Sequence, residues 1–324
     1  MIRKTIDSIS LCLGSDCNLH CSWCYNQANK SKSLDYDSFC LFFNQIIKNH
    51  IDTVILIGGE PLVYPRVIEI IELLQHQRIV LATNGIAFSD DNLIKQVAKH
   101  NNLSISLSIK GFNEQVMLQT TRVNGFNQLS KAILMLNNHG LTIDYSYVFD
   151  YSLRREDFGL FYGFLSNHSI RTLTIGEMRP YFSMTGEIEG RLAKRGIFES
   201  FVLYLIERGI DLRVKIQAPF CEYSLKFINY LIREKMLISA CSVKLGGALF
   251  FDSNLDLVLC ESCFDIRLGE FGKDYTDYNS LQDFFLSPQV RAVYNKFKGC
   301  PRQKCTDCKY WSICGGGCIL NWRE

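Results

Sequence analysis

From residue 8 to about residue 176, short apolar runs rich in β-branched residues alternate with longer stretches whose apolar positions recur every three or four residues. The short runs suit strands buried on both faces, and the longer stretches suit helices with one apolar side. Six strands are predicted: Ser8–Leu13, Thr53–Ile57, Arg78–Ala82, Leu103–Ile109, Leu141–Val148 and Arg171–Ile175. Between the first two, Tyr36, Phe39, Cys40, Phe43, Ile46 and Ile47 fall on one helical face, where Cys40 reads as a small buried hydrophobe. Val67, Ile70, Ile71 and Leu74 repeat that spacing, as do Phe126, Leu129, Ile133 and Leu136 before a stop at Gly140. The alternation predicts an α/β fold with a parallel sheet and crossover helices.

Past residue 176 the pattern weakens. Residues 177–195, with Gly176, Gly186, Gly190 and Gly196 in and around them, read as a long loop. A helix near 197–208, a strand near 211–216 and a helix near 221–237 then lead into a cysteine-rich stretch. The division expected is a core of residues 1–220 followed by a smaller region of residues 221–324.

Composition narrows the function classes. Lys plus Arg number 35 against 33 Asp plus Glu, a net charge of +2 with no basic block, so nucleic acid is not an expected partner. The first residues lack the apolar run of a signal peptide, and no stretch reaches the ~18 apolar residues of a membrane span. A cytoplasmic protein without a membrane partner is expected. Five histidines, at positions 50, 76, 100, 139 and 168, fall near predicted helix C-termini and read as structural, and His20 as a loop residue.

The 14 cysteines change the picture most. A reducing compartment keeps thiols free, and these thiols cluster: three lie within 17–24 and nine within 221–318. Clustered thiols point to metal ligation. Cys17, Cys21 and Cys24, spaced Cys-x3-Cys-x2-Cys, follow the first strand directly. Three thiolates suit three irons of a 4Fe-4S cubane and leave the fourth iron for a substrate, whereas a zinc loop needs a fourth ligand nearby. Trp23 beside them could shield such a cluster. The next strands end in Gly58-Gly59-Glu60-Pro61, in Thr83-Asn84-Gly85 and in Ser108-Ile109-Lys110-Gly111. Glycines admit a ligand to the backbone, Glu60 can accept from an ammonium group, and the serine hydroxyl can meet a ribose. Near the other end stand Cys305, Cys308, Cys314 and Cys318, spaced Cys-x2-Cys-x5-Cys-x3-Cys, preceded by Cys300, Cys263, Cys260 and Cys241. A zinc ribbon built from Cys260, Cys263, Cys305 and Cys308 has acceptable spacing too.

Taken together, the cysteine loop and the Gly-Gly-Glu-Pro turn resemble the radical S-adenosylmethionine (SAM) superfamily, and the last cysteines resemble the SPASM domain of its peptide maturases. The resemblance implies a partial (β/α)6 TIM-like barrel followed by a small SPASM-like domain. It implies a SAM-binding [4Fe-4S] cluster on Cys17, Cys21 and Cys24, and SAM contacts from Gly58, Gly59, Glu60, Pro61, Thr83, Asn84, Ser108 and Arg122. One or two auxiliary [4Fe-4S] clusters are implied as well, one on Cys305, Cys308 and Cys314 with Cys300 as candidate fourth ligand, the other on Cys241, Cys260 and Cys318 with Cys263 completing it or leaving an iron open. Cys221 reads as structural.

Three departures from the family pattern stand out. Lys110 replaces an acidic residue, Leu255 stands where the family has glycine, and no cysteine follows Cys318. The chemistry implied is reductive cleavage of SAM to a 5'-deoxyadenosyl radical that abstracts hydrogen, here from a ribosomally made precursor peptide that is crosslinked or epimerised. Glu177, Arg179 and Tyr181 are candidate substrate contacts. The partners implied are a precursor peptide, a flavodoxin or ferredoxin-type electron donor and, because the first cluster begins at residue 17, a separate leader-peptide-binding protein. The alternatives are a small-molecule radical dehydrogenase or epimerase, a protein side-chain maturase, or a non-catalytic iron-sulfur electron-transfer protein.

Overall fold

The computed structural model describes residues 6–24, 26, 32–150, 153–178, 188–238, 241–246 and 249–321, with side chains from 195 onward in the helix that begins at 188. Seven parallel strands form the frame: β1 Ser8–Cys12, β2 Thr53–Ile57, β3 Arg78–Thr83, β4 Leu103–Ile109, β5 Ile143–Phe149, β6 Thr172–Glu177 and β7 Asp211–Lys215. Each pairs with the next in chain order, and the sheet does not close on itself. The parallel sheet is the one that the alternation predicted, and its open form is the partial barrel that the resemblance implied. The connecting helices include α1 Tyr36–Phe42, α2 Val67–Leu73, α3 Asp91–Val97, α4 Glu114–Thr121, α5 Phe126–Asn138 and α6 Asp157–Asn167. Ile70, Ile71, Leu129, Ile133 and Leu136, read as an inward stripe, are fully buried.

The helix α7, Ile188–Ile206, starts well before residue 197 and corrects the reading of 188–195 as part of a loop, while 179–187 lie outside the described residues. Glycine content suggested a break, but Phe198, Phe201, Val202 and Leu205 are fully buried and anchor the helix. A methyl group added at Gly196 would meet nothing within 4 Å. Tertiary packing outweighs the roughly 1 kcal/mol that a helical glycine costs.

The cysteine-rich stretch joins the same sheet. After α8 Leu225–Arg233, β8 Leu237–Ile238 extends the edge at β7. On the opposite edge β9 Phe250–Phe251 pairs in parallel with β1, and β10 Leu257–Val258 and β11 Arg267–Gly269 follow antiparallel. The order is β11-β10-β9-β1 through β8, so one sheet carries both cysteine regions. Leu255, in the turn between β9 and β10, has φ 67° and is 1 % exposed. The left-handed backbone that favours glycine is therefore present, and a buried isobutyl group offsets its strain. No helix among the described residues is long and apolar enough to cross a membrane.

Candidate active site

The parallel strands all end on one rim, and there a cavity of about 380 Å³ opens. Cys17, Cys21 and Cys24 line it with Trp23, facing Gly58, Gly59, Glu60, Thr83 and Asn84. Ser108 and Lys110 line the next sector. Rims of this kind collect functional groups because every strand delivers one loop to the same place.

The cysteine loop is fixed from behind. Residues between and beside its thiols donate to α4, His20 N–H to the Thr121 carbonyl (2.9 Å) and Ser22 N–H to that of Thr120 (3.0 Å). Leu19 and Cys21 pack on the fully buried Met117. Burial pushes the Cys17 thiol up to about 11, with the nearby Glu60 carboxylate adding to the shift, and burial raises Cys21 while Lys110 opposes it. A dry pocket disfavours free thiolates, and only a bound cation would stabilise three of them side by side.

The Gly-Gly-Glu turn is knitted onto that loop. Gly59 N–H donates to the Gly14 carbonyl (2.9 Å) and Glu60 N–H to that of Asp16 (2.8 Å). A methyl group at Gly59 would sit 2.1 Å from the Asp16 carbonyl oxygen, so the glycine is required by this close approach. The Glu60 carboxylate, 3 % exposed, accepts from Leu62 N–H (3.1 Å), Thr83 Oγ1 (2.7 Å) and Asn84 N–H (2.7 Å). A carboxylate has about four acceptor positions, so roughly one is left for a ligand in the cavity. Burial raises its pKa even against those three donors. Asn84 donates in turn to Asn18 Oδ1 (2.7 Å), tying the third strand's end to the cysteine loop.

Lys110 Nζ donates to Ser108 Oγ at 2.9 Å, so the cation that departs from the family pattern stands inside the cavity wall. Pro61 opens the short turn behind Glu60. Arg122 caps α4 with φ 60°, exposed and outside the cavity wall. Arg179 and Tyr181 lie outside the described residues. Glu177 lines the cavity, its side chain fully buried; Arg195 Nη1 and the Tyr223 hydroxyl hold its two oxygens, and Arg195 Nη2 reaches Glu222 at 3.0 Å. Neither Arg195 nor Tyr223 carries a local motif, so the reading of the sequence missed both.

A second cavity, of about 220 Å³, is lined by Cys241, Cys260 and Cys318. Lys215, Gln217 and Glu261 belong to the walls of both cavities, and no motif marked any of them. Cys263 is fully buried outside both walls, its N–H donating to the Cys260 carbonyl (2.9 Å). Cys305 and Cys308 form a turn, Cys314 ends the short helix α9 Trp311–Cys314, and Cys300 is exposed. Lys244 stands between the sets: it donates to the Gly315 carbonyl, and the thiols of Cys241, Cys314, Cys318 and Cys305 all act on its charge, although burial lowers its pKa. Among the described residues no three His, Cys, Asp or Glu side chains converge as ligands of a single metal ion would. Ligands of a cubane bind separate irons and need no common centre.

Residues 11–158 match the description of the Radical SAM superfamily. Among curated relatives, GTP 3',8-cyclase of Chlorobaculum tepidum is 20% identical over 185 residues, which is 55% of each chain. Human molybdenum cofactor biosynthesis protein 1 is 27% identical over 134 residues, 39% of this chain and 21% of that one. The chain thus spans about half the length of the first relative and a fifth of the second. Two solved structures are similar along nearly the whole chain. Streptococcus suis SuiB bound to S-adenosylmethionine gives a TM-score of 0.72 at 16% identity, covering 98% of this chain and 74% of that one. The structure of anSMEcpe with AdoMet and the Cp18Cys peptide gives 0.73 at 16%, covering 97% and 89%. The cysteine loop, the Gly-Gly-Glu turn and the first five strands of the open parallel barrel fall within or beside the stretch that is similar to the Radical SAM superfamily.

Proposed function

We propose that this chain is a radical SAM enzyme that modifies a peptide. The observation that carries the reading is the meeting of Cys17, Cys21 and Cys24 with residues 58–60, Asn84 and Ser108 around one cavity on the strand ends. Their chemistry fits a cluster with one open iron, since three soft donors stand together on the wall of one cavity. A [4Fe-4S] cluster with SAM supplies, when bound, a reductive carbon-sulfur cleavage that yields a 5'-deoxyadenosyl radical able to take hydrogen from a substrate.

The protein's own part is positioning and exclusion of water. Leu19 and Trp23 close the cavity beside the thiols. The free acceptor position of Glu60 and the backbone of Gly58 and Gly59 suit the ammonium end of SAM, and Ser108, oriented by Lys110, suits a ribose hydroxyl. Glu177 offers a fixed carboxylate on the far wall, held by Arg195 and Tyr223. Two auxiliary clusters fit the remaining thiols: an inner one on Cys241, Cys260 and Cys318, which shares a wall with the active cavity, and an outer one on Cys305, Cys308 and Cys314.

The peptide substrate is supported by the reach of the likenesses. Structures solved with peptides match 97–98% of the chain, cysteine-rich end included, whereas the likeness to the GTP cyclase spans 55%. Anaerobic reconstitution followed by assay of deoxyadenosine release tests the radical step: release is expected, and its persistence in the Cys17→Ala, Cys21→Ala, Cys24→Ala triple variant would sink the reading. Mass spectrometry of peptides encoded near the gene, with GTP as the competing substrate, tests the substrate. Consumption of GTP with every peptide unchanged would overturn the peptide assignment.

A further inference from the structure

The segment that follows β7 lies along the last cysteine motif. Cys318 N–H and Asn321 Nδ2 both donate to the Gln217 carbonyl at 2.8 Å. A methyl group at Gly317 would stand 2.5 Å from the same oxygen. Three residues on, Phe220 N–H donates to Cys314 Sγ at 3.3 Å. The turn Phe220–Glu222 is then held at both ends, because the Phe220 ring meets Tyr310 at 6.4 Å and Glu222 pairs with Arg195 at 3.0 Å.

Between those two fixed residues stands Cys221, its thiol exposed. Cys300 is exposed too, but among the described residues no hydrogen bond joins 298–301 to Cys314. Three thiolates hold three irons of a cubane, and the fourth iron needs a donor from whichever segment the fold brings alongside. Here that segment is the turn after the seventh strand.

We propose that Cys221 is the fourth thiolate of the outer cysteine set, completing a [4Fe-4S] site with Cys305, Cys308 and Cys314. The assignment rests on the reading that those three cysteines hold a cluster. Ligation releases the Cys221 thiol proton to solvent and leaves the oxidation state of the sulfur unchanged. It staples the last barrel loop to the C-terminal segment. Gln217, four residues before Cys221, lines both cavities, so loading the outer site would also fix part of the active-cavity wall.

Alkylation of the full-length, anaerobically reconstituted protein by iodoacetamide, read at each cysteine by mass spectrometry, tests this together with iron and sulfide content. Cys221 is expected to react slower by on the order of ten-fold in the loaded protein than after iron is chelated, while Cys300 reacts equally in both. Cys221→Ser should lower the iron content or shift the paramagnetic signal of the reduced protein, and Cys300→Ser should leave both unchanged. Equal reactivity of Cys221 in the two states, or iron loss in Cys300→Ser with none in Cys221→Ser, overturns the proposal. Should Cys221→Ser fail to fold, the alkylation of the unaltered chain decides. Wild-type protein holding only about four irons would overturn the auxiliary-cluster reading and this assignment with it; more iron with a freely reactive Cys221 overturns the assignment alone.

Discussion

The two cysteine regions are built on different physics. Around Cys17, Cys21 and Cys24 the loop is clamped by hydrogen bonds to α4, by the fully buried Met117 and by the backbone of the Gly-Gly-Glu turn. Around Cys305, Cys308 and Cys314 most residues are exposed or half-exposed, and two short turns, one ending at Thr306 and the other at Gly315, do the holding. A site whose scaffold is packed exists before its metal arrives. On the proposed reading, a site made of exposed turns would draw its order from the metal, because ligation free energy becomes folding free energy there.

Iron removal should separate the regions most. In chelated protein, amide hydrogen exchange over 300–318 is expected to accelerate on the order of a hundredfold, about 2.7 kcal/mol of local stability, while amides of 17–24 hold near their original rates. Equal acceleration in both would erase the distinction. The packed region should instead be the more sensitive to added volume. Gly59→Ala forces a methyl group against the Asp16 carbonyl and is expected to cost about 1–3 kcal/mol in denaturant unfolding, with or without iron.

Leu255 probes the hairpin that joins the regions. Relief of its left-handed strain is worth about 1–2 kcal/mol, whereas deleting the buried isobutyl group costs about 2–5 kcal/mol. Leu255→Gly should therefore destabilise, by up to about 4 kcal/mol, and a gain in melting temperature would refute that balance. The smallest effect concerns pH. Burial raises the Glu60 pKa in the folded state, so its stabilising contribution is full below the ordinary glutamate range and fades as pH rises through the folded value. Glu60→Gln should flatten that limb of the unfolding midpoint against pH in metal-free protein.

Much of the barrel was legible because its signals are local. Strand runs, helical stripes and the Cys-x3-Cys-x2-Cys loop each lie within a few turns of chain, and the six predicted strands overlap β1 to β6, although Cys40, read as buried, is half-exposed. Gly190 and Gly196 misled because composition does not weigh the buried Phe198, Phe201 and Leu205 that hold α7 together. Arg195, Tyr223, Lys215, Gln217 and Glu261 carried no signal, since each gains its meaning from a neighbour far away in the chain.

By itself the sequence determined a parallel α/β alternation whose first loop gathers three thiols, because period and spacing are properties of adjacent residues. Only the tertiary structure decided that β9 lies beside β1, that the two cavities share a wall and that the turn holding Cys221 rests on Cys314. Those are pairings between segments up to hundreds of residues apart. They are selected by which exposed edges and buried faces remain once the local elements have formed.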